Sequence, residues 1–523
     1  LIANQLGYIT VSESIDSEDW DESGPSVLLE RIRERRGEGN VVLLHDAGGD
    51  LSATVAALPL IIDYLRRRGD EIVPLHRLVG APRDAFMPSI PANDTGEDLI
   101  IAGLGFHLLH LLERFGWAFM IATTALLLVR TAVLLLLAIS HRIRQRGKSD
   151  VAPDMVEPVS VLIAAHNEAA VIEATLASVL ATNYRGRVEV VVVDDGSDDD
   201  TAGRVARAAH HDTRITLIRQ PQQGKAAALN AALRAAAHEL IVMLDADTQF
   251  RQDTIGRLLF PFRDKKVGAV SGHARVGNQT SWITLFQSLE YTCGFNLDRR
   301  AYDRWNCVTV VPGAVSAFRK NVIAAAGGMS EDTMAEDTDL TLMIHHLGYS
   351  VTYSPTAIAF TEAPDTVAGL VRQRTRWAFG TLQCLIKHND LLLNPRYKGL
   401  AFFSLPSVWF FHFFLVALIP AVDALLIFSL LNGAGSAILD YALAFMAVDM
   451  ATALAACIME GEQLRRAWLI LPMRLLYRPL LAWSVWKAFF RALRGAWVAW
   501  GHQNRKGLMP AISRISSGHR AGA

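Results

Sequence analysis

The strongest constraint on this chain is where its apolar sequence lies. Trp117–Ile139 is long enough to cross a bilayer, and Val408–Leu431 and Ala437–Met459 are two further runs of that length. Between these blocks, residues 149–395 read differently. Short runs rich in Val, Ile and Leu stand at Val159–Ala164, Val188–Val193, Ile215–Ile218, Leu240–Leu244 and Val267–Val270, and helical stretches separate the first four. Continuous β-branched runs of this length suit strands covered on both faces, so the spacing predicts a mostly parallel sheet with helices on both sides. The expected fold is therefore an α/β domain inserted between membrane helices.

Ligands of such sheets sit at the carboxyl ends of the strands. The polar clusters fall there: His166-Asn167-Glu168 after the first run, Asp194-Asp195 after the second and Asp245–Asp247 after the fourth.

The flanks set a topology. Leu99–Leu112 is apolar but short, and reads as a packed or interfacial helix. Arg130, near the middle of Trp117–Ile139, costs roughly 2.5–3.5 kcal/mol to insert, so it is expected to face protein or to snorkel. Arg142, Arg144, Arg146 and Lys148 mark that end as cytoplasmic by the positive-inside rule. Residues 1–98 then lie outside and residue 149 onward inside, as expected of an integral protein of the cell membrane. The loop Asn432–Ser436 lacks Lys and Arg and fits the outside, and Glu460–Arg466 returns inside. Trp468–Phe490, interrupted by Arg474, Arg478 and Lys487, fits a span, a re-entrant hairpin or an interfacial helix. Asp423 and Asp449 are acids inside apolar runs, which line a polar path or pair with other helices.

The domain plan is thus residues 1–98, a soluble α/β fragment; residues 99–148, membrane sequence with a span near 117–139; residues 149–395, the α/β domain; and residues 396–523, membrane and interfacial helices. In the first unit Asn40–Asp46 reads as a buried strand, Leu51–Arg68 as an amphipathic helix, Glu71–Leu75 as the next strand and Pro82–Asp98 as a linker. The chain opens at Leu1 without a signal-peptide pattern, as a piece of a longer protein would.

Composition excludes some functions. Lys plus Arg number 51 and Asp plus Glu 52 in 523 residues, a balance that argues against nucleic acid as a partner. The four cysteines are dispersed with no CxxC pair, against a disulfide framework or zinc ribbon.

Each cluster has a chemical reading beside a plainer one. Asp245 and Asp247, two apart at a strand end, can point the same way and supply hard oxygen ligands to Mg2+ or Mn2+ held with substrate phosphates; a solvated turn is the alternative. Asp194 and Asp195 can accept a uracil imide hydrogen and approach a ribose, or simply precede a helix capped at Ser197 or Asp198. Gly224-Lys225 fails the P-loop test, since Ala226 replaces the metal-binding Ser or Thr, yet Lys225 can reach a diphosphate. Glu336-Asp337 offers a carboxylate base for an acceptor hydroxyl, with the base assigned to Asp337, or an acid-rich helix start favoured by the dipole. In Gln373–Trp377 (QRTRW), Gln373, Arg376 and Trp377 share one helix face. There Arg376 can neutralise phosphate and Trp377 can plate a sugar ring. The alternative is a helix lying on the membrane with Arg372, Arg374 and Arg376 at head groups.

In order and wording these clusters resemble the processive members of glycosyltransferase family 2, the cellulose, chitin, hyaluronan and poly-N-acetylglucosamine synthases. The matching segments are Ala164–Glu168, Val193–Ser197, Gly224–Asn230, Asp245–Asp247, Gly313–Arg319, Glu336-Asp337 and Gln373–Trp377. The resemblance implies a GT-A Rossmann-like fold, a UDP-sugar donor, a polysaccharide acceptor, a divalent metal on Asp247 with Asp245, and catalysis by Asp337 with Glu336. It implies donor contacts from Ala165, Asn167, Glu168, Asp194, Asp195, Lys225, Asp245, Gln373, Arg376 and Trp377. Ala335 stands where many relatives have Thr.

Residues 1–98 resemble the C-terminal part of a polysaccharide deacetylase, through Asp16–Trp20 and Leu43–Asp46, with His45 as that family's catalytic histidine. The family's early metal-binding motifs do not occur before Asp16, so this fragment is expected neither to hold metal nor to deacetylate. A deacetylase beside a synthase implies an N-acetylated product and favours UDP-N-acetylglucosamine. Three rival readings remain at this point: a non-processive transferase loading a lipid carrier, a deacetylase with a scaffolding transferase part, and a non-catalytic membrane subunit.

Overall fold

A computed structural model describes residues 11–21, 24–46, 51–86, 97–145, 155–431 and 435–495, with residues 507 and 509. The chain divides into two compact units, Leu1–Phe119 and Met120–Ala523.

In the first unit, β1 (Ile15–Asp16) pairs in parallel with β2 (Val42–Leu43). Helices Pro25–Arg35 and Ser52–Arg67 cover them, burying Ile15, Leu28, Ile32, Ala57 and Ile61. The strand expected over Asn40–Asp46 shortens to two residues. The strand expected over Glu71–Leu75 does not form: Ile72 is exposed, no neighbouring strand pairs with it among the described residues, and Pro74 begins a one-turn helix, Leu75–Leu78. Of the linker expected over Pro82–Asp98, residues 87–96 lie outside the described residues, and Arg83–Phe86 forms one helical turn. Leu99–Leu112 is not a separate element. It is continuous with the span in one helix, Glu97–Gln145, because nothing between them breaks a helix.

The second unit is built on an eight-stranded sheet. Its strands are β3 (Val159–Ala165), β4 (Val188–Asp195), β5 (Ile215–Gln220), β6 (Leu240–Met243), β7 (Thr248–Phe250), β8 (Val267–Val276), β9 (Ser316–Arg319) and β10 (Ser350–Thr361), in the order β5-β4-β3-β6-β9-β8-β10-β7. The first four expected strands are present and run parallel. The sheet as a whole is mixed, with four parallel and three antiparallel pairings, because β9 enters antiparallel between β6 and β8 and β7 pairs antiparallel with β10. Strands β7 and β9 carry only three and four residues, too few to show a period.

Alternation along β4 makes the core. Val191 and Val193 enter one apolar cluster under helix Lys225–Ala235, whereas Val190 and Val192 enter the other under helix Ile172–Leu180. The architecture is the GT-A-like α/β fold.

Among the described residues, three helices are long and apolar enough to cross a membrane: Ala118–Gln145, Leu400–Val422 and Leu443–Glu460. The helix of the second begins at Leu400, passes through two π-helical stretches and runs to Leu431, so it contains the expected Val408–Leu431. Trp468–Phe490 is two helices, Ile470–Leu476 and Arg478–Leu493, broken at Tyr477, and neither qualifies as a span. Arg130 faces protein: its Nη2 donates to Asp298 at 3.1 Å and its Nε to Ser407 at 2.5 Å. Asp449 accepts from Arg478 at 2.8 Å and Arg474 at 3.3 Å, which makes it a helix–helix pairing residue. The side chain of Asp423 lies outside the described residues.

The membrane helices join the sheet through a buried ionic cluster. Glu460, at the end of helix Gly435–Glu460, receives Arg300 at 2.8 and 3.0 Å and lies 3.2 Å from His273 on β8. Removing one partner of a buried pair strands the others. Glu460→Ala is therefore expected to lower stability by about 3–5 kcal/mol, measured by thermal unfolding in detergent. Breaking the exposed Arg33–Glu30 pair is expected to cost about 0–1 kcal/mol.

Candidate functional site

The loops after β3, β4 and β6 are stitched together by side chains. Asn167 holds φ at 58°, and its Oδ1 accepts the amide of Asp198 while its own amide donates to Ser197 Oγ. Gly196, at φ 69°, lets the chain turn where a Cβ would lie 2.7 Å from the Gln222 amide. The helix after this turn starts at Thr201, not at Ser197 or Asp198. Asp199 binds the Thr201 amide, so the expected cap falls later than the sequence suggested.

Asp194 and Asp195 separate into two roles. Asp195 is fully engaged: it accepts Gln220 Nε2 at 2.7 Å, the Gln223 amide at 2.9 Å and the Gly224 amide at 2.8 Å. It thereby fixes the loop that delivers Lys225. Asp194 is equally buried, but its Oδ1 has no hydrogen-bond partner among the described residues. A buried acceptor left unmatched is costly and marks a position for a donor group.

Lys225 is the meeting point of the site. Its Nζ lies 2.7 Å from Asp245 Oδ1 and 3.0 Å from Glu336 Oε1. Burial works against its charge, yet Asp245 and Glu336 outweigh that cost and hold its pKa above the usual lysine value. Gly313 makes room for it, since a Cβ there would stand 2.7 Å from Nζ. Lys225, Asp245, Gly313, Glu336 and Asp337 line one cleft. Asp247 lies beneath, buried, with Thr248 and Thr361 hydroxyls at 3.2 and 3.4 Å. Ala165 closes β3 as a buried residue, and the Glu168 amide donates to Thr201. Among the described residues no three His, Cys, Asp or Glu side chains gather as a metal cage. Two carboxylates are the set a cation needs if its other ligands are diphosphate oxygens and water.

Asp337 begins helix Glu336–His346. Burial and the neighbouring Glu336 push its carboxyl up to about 6, against the pull of Lys225.

Helix Val367–Lys387, capped by Thr366, packs on this helix start. Gly380 allows the approach, since a Cβ there would lie 2.8 Å from Ala335. Met334 donates to Gln383 at 3.0 Å. Gln373 is buried with Oε1 unmatched among the described residues, while Arg376 and Trp377 are half-buried. Trp377 meets Phe295 edge-on at 5.9 Å. Arg374 is not a head-group residue: it is buried over Trp377 and paired with Glu290 and the Tyr477 hydroxyl. Sequence reasoning missed Glu290, Phe295 and Tyr477. They lie on other elements, and only the fold brings them to this helix.

In the first unit, buried Asp19 joins His45 Nδ1 at 2.7 Å and accepts the His45 amide and Thr54 hydroxyl. Burial opposes its ionisation, but these bonds hold its carboxyl down at about 2 and raise His45.

Residues 157–380 match the family model described as glycosyltransferase-like family 2. These residues form a family 2 glycosyltransferase domain. Over 241 residues the chain is 32% identical to a poly-β-1,6-N-acetyl-D-glucosamine synthase of Staphylococcus aureus (strain COL), 46% of this chain and 58% of that protein. Over 234 residues it is 31% identical to the synthase of the same name from Staphylococcus epidermidis, 44% of this chain and 56% of that one. The chain thus spans somewhat over half the length of these relatives. A mannosyltransferase from Pyrobaculum calidifontis, solved with GDP-Man and Mn2+, aligns with a TM-score of 0.46 at 26% identity, covering 70% of this chain and 99% of that one.

The raised Asp337 has a thermodynamic consequence for the transferase domain. An acid whose folded pKa lies above its unfolded value binds protons more tightly when folded, so stability falls as pH rises from about 4 to about 6. Asp337→Asn is expected to remove that slope and to raise stability at pH 7.5 by roughly 1–3 kcal/mol, read from unfolding midpoints across pH.

Proposed function

We propose that the transferase domain is a processive inverting β-glycosyltransferase that extends an N-acetylglucosamine polymer from UDP-N-acetylglucosamine. The observation that carries this is the single cleft joining Asp245, Lys225, Glu336 and Asp337, with the QRTRW helix packed against its rim. The identity to two poly-β-1,6-N-acetyl-D-glucosamine synthases supports the choice of sugar.

The donor's uracil lies against Asp194, whose open acceptor suits an imide N–H, and Asn167, Glu168 and Asp195 shape that end. Asp245 and Asp247 hold Mg2+ or Mn2+, which supplies charge neutralisation for the departing diphosphate. Lys225, Gln373 and Arg376 face the same phosphates. The acceptor hydroxyl oxygen attacks the anomeric carbon, the bond from that carbon to the β-phosphate oxygen breaks, and the electron pair leaves with UDP. Asp337 takes the hydroxyl proton, and Glu336 positions Lys225. One base suffices, because a diphosphate leaving group needs no proton. Trp377 plates the terminal pyranose ring.

Arg142 and Arg144 after the first span support a cytoplasmic transferase domain by the positive-inside rule, with residues 1–98 outside and the polymer exported through the membrane helices. The Asp19–His45 pair supports the reading of residues 1–98 as a deacetylase-like fragment.

Release of UDP from UDP-N-acetylglucosamine by the full chain in nanodiscs, with product length, tests the reading. Asp337→Asn is expected to cut turnover by roughly 10²–10⁴-fold. The wild-type rate is expected to fall on the acid side with an apparent pKa near 6, as Asp337 gains a proton. An undiminished rate in Asp337→Asn defeats transfer, and single-sugar lipid products defeat processivity. Chelation is expected to abolish release, and added Mg2+ or Mn2+ to restore it in the wild type but not in Asp247→Ala.

A further inference from the structure

Three guanidinium groups are buried around the helix that runs from Trp282 through a π-helical stretch, Tyr291–Asn296, to Asp303. Two have carboxylate partners. Arg300 forks onto Glu460, and Arg374 pairs with Glu290. The third, Arg299, does not. It is only 7% exposed, its Nε is buried without a partner, and among the described residues it makes no hydrogen bond or ion pair.

Two neighbouring acceptors are already committed. Asp298 is held by Arg130, and the Tyr353 hydroxyl by His273. What Arg299 has is an aromatic face, with its guanidinium carbon 5.9 Å from the centre of Phe295. Phe295 in turn meets the edge of Trp377. Asp337 lies within electrostatic reach of Arg299. A buried cation without a counter-charge is among the costlier features a fold can keep. Where it persists beside a site, a ligand is the natural source of the missing acceptors.

We propose that Arg299 binds the terminal sugar of the acceptor chain, donating to its hydroxyl or acetamido oxygens beside Trp377. This rests on the transferase reading of the cleft. It differs from a diphosphate contact in its placement. The phosphate side is organised by Asp245, Asp247 and Lys225, whereas Arg299 stands with Phe295 and, through it, Trp377.

The test uses the full chain in nanodiscs and measures binding apart from turnover. The probes are a β-1,6-linked N-acetylglucosamine pentasaccharide and UDP, each titrated separately. Arg299→Met replaces a stranded charge with an apolar side chain of similar length, so the unfolding midpoint is expected to stay level or rise. Pentasaccharide affinity is expected to fall by roughly ten- to a hundredfold, the loss of one or two charge-assisted hydrogen bonds. UDP affinity is expected to be unchanged. Arg299→Lys is expected to lie between. Unaltered pentasaccharide affinity in Arg299→Met overturns the proposal. So does a loss confined to UDP, which assigns Arg299 to the diphosphate, or a lowered unfolding midpoint with both affinities lost together, which makes it structural. Failure of the transferase reading shows separately, as UDP release that Asp337→Asn leaves intact.

Discussion

The site depends on one ammonium group held between two carboxylates. Lys225 reaches Asp245 from the end of β6 and Glu336 from the start of a helix nearly a hundred residues later. Without a cation there, Asp245, Glu336 and Asp337 would bring like charges into one partly buried cleft, which the low dielectric makes expensive. The charge of Lys225 is in turn guaranteed by its position. Asp195 anchors the amides of Gln223 and Gly224 just before it, and Gly313 leaves the space it fills. Three strand ends and one helix start are thus tied through a single side chain. That is why residues far apart in sequence form one wall.

A second constraint is close packing between helices. Gly380 brings helix Val367–Lys387 onto Ala335, immediately before Glu336. The departure at Ala335 gains a reason from this contact: a small side chain meets a glycine where two helices approach. The same helix carries Gln373 and Trp377, so the approach sets their distance from Asp337. Below, Glu460 fixes the end of a membrane helix to Arg300 and β8, so helix Leu297–Asp303 and the transferase sheet share one buried ionic cluster.

The sequence made the parallel half of the sheet readable because β3, β4, β5 and β6 are continuous apolar runs that end in polar clusters. It hid β7 and β9, which are too short to show a period, and so concealed the mixed character of the sheet. The candidate site was readable as residue types at strand ends. Its internal wiring was not, because a Lys–Asp–Glu bridge depends on side chains brought together only by folding. Arg374 shows the limit well. Helical spacing set it among membrane-facing arginines, whereas Glu290 and Tyr477, each more than eighty residues away, draw it into the interior. In the first unit, Glu71–Leu75 had strand composition but no partner strand among the described residues, and strand formation needs a partner as well as a propensity.

The most direct measurement is a cryo-electron microscopy structure of the full chain in nanodiscs with UDP, Mn2+ and a short N-acetylglucosamine oligosaccharide. The uracil is expected against Asp194, the metal on Asp245 and Asp247, and the terminal sugar hydroxyl within hydrogen-bonding reach of Asp337 beside Trp377. Nucleotide bound elsewhere, or an oligosaccharide end remote from Asp337, would contradict that expectation.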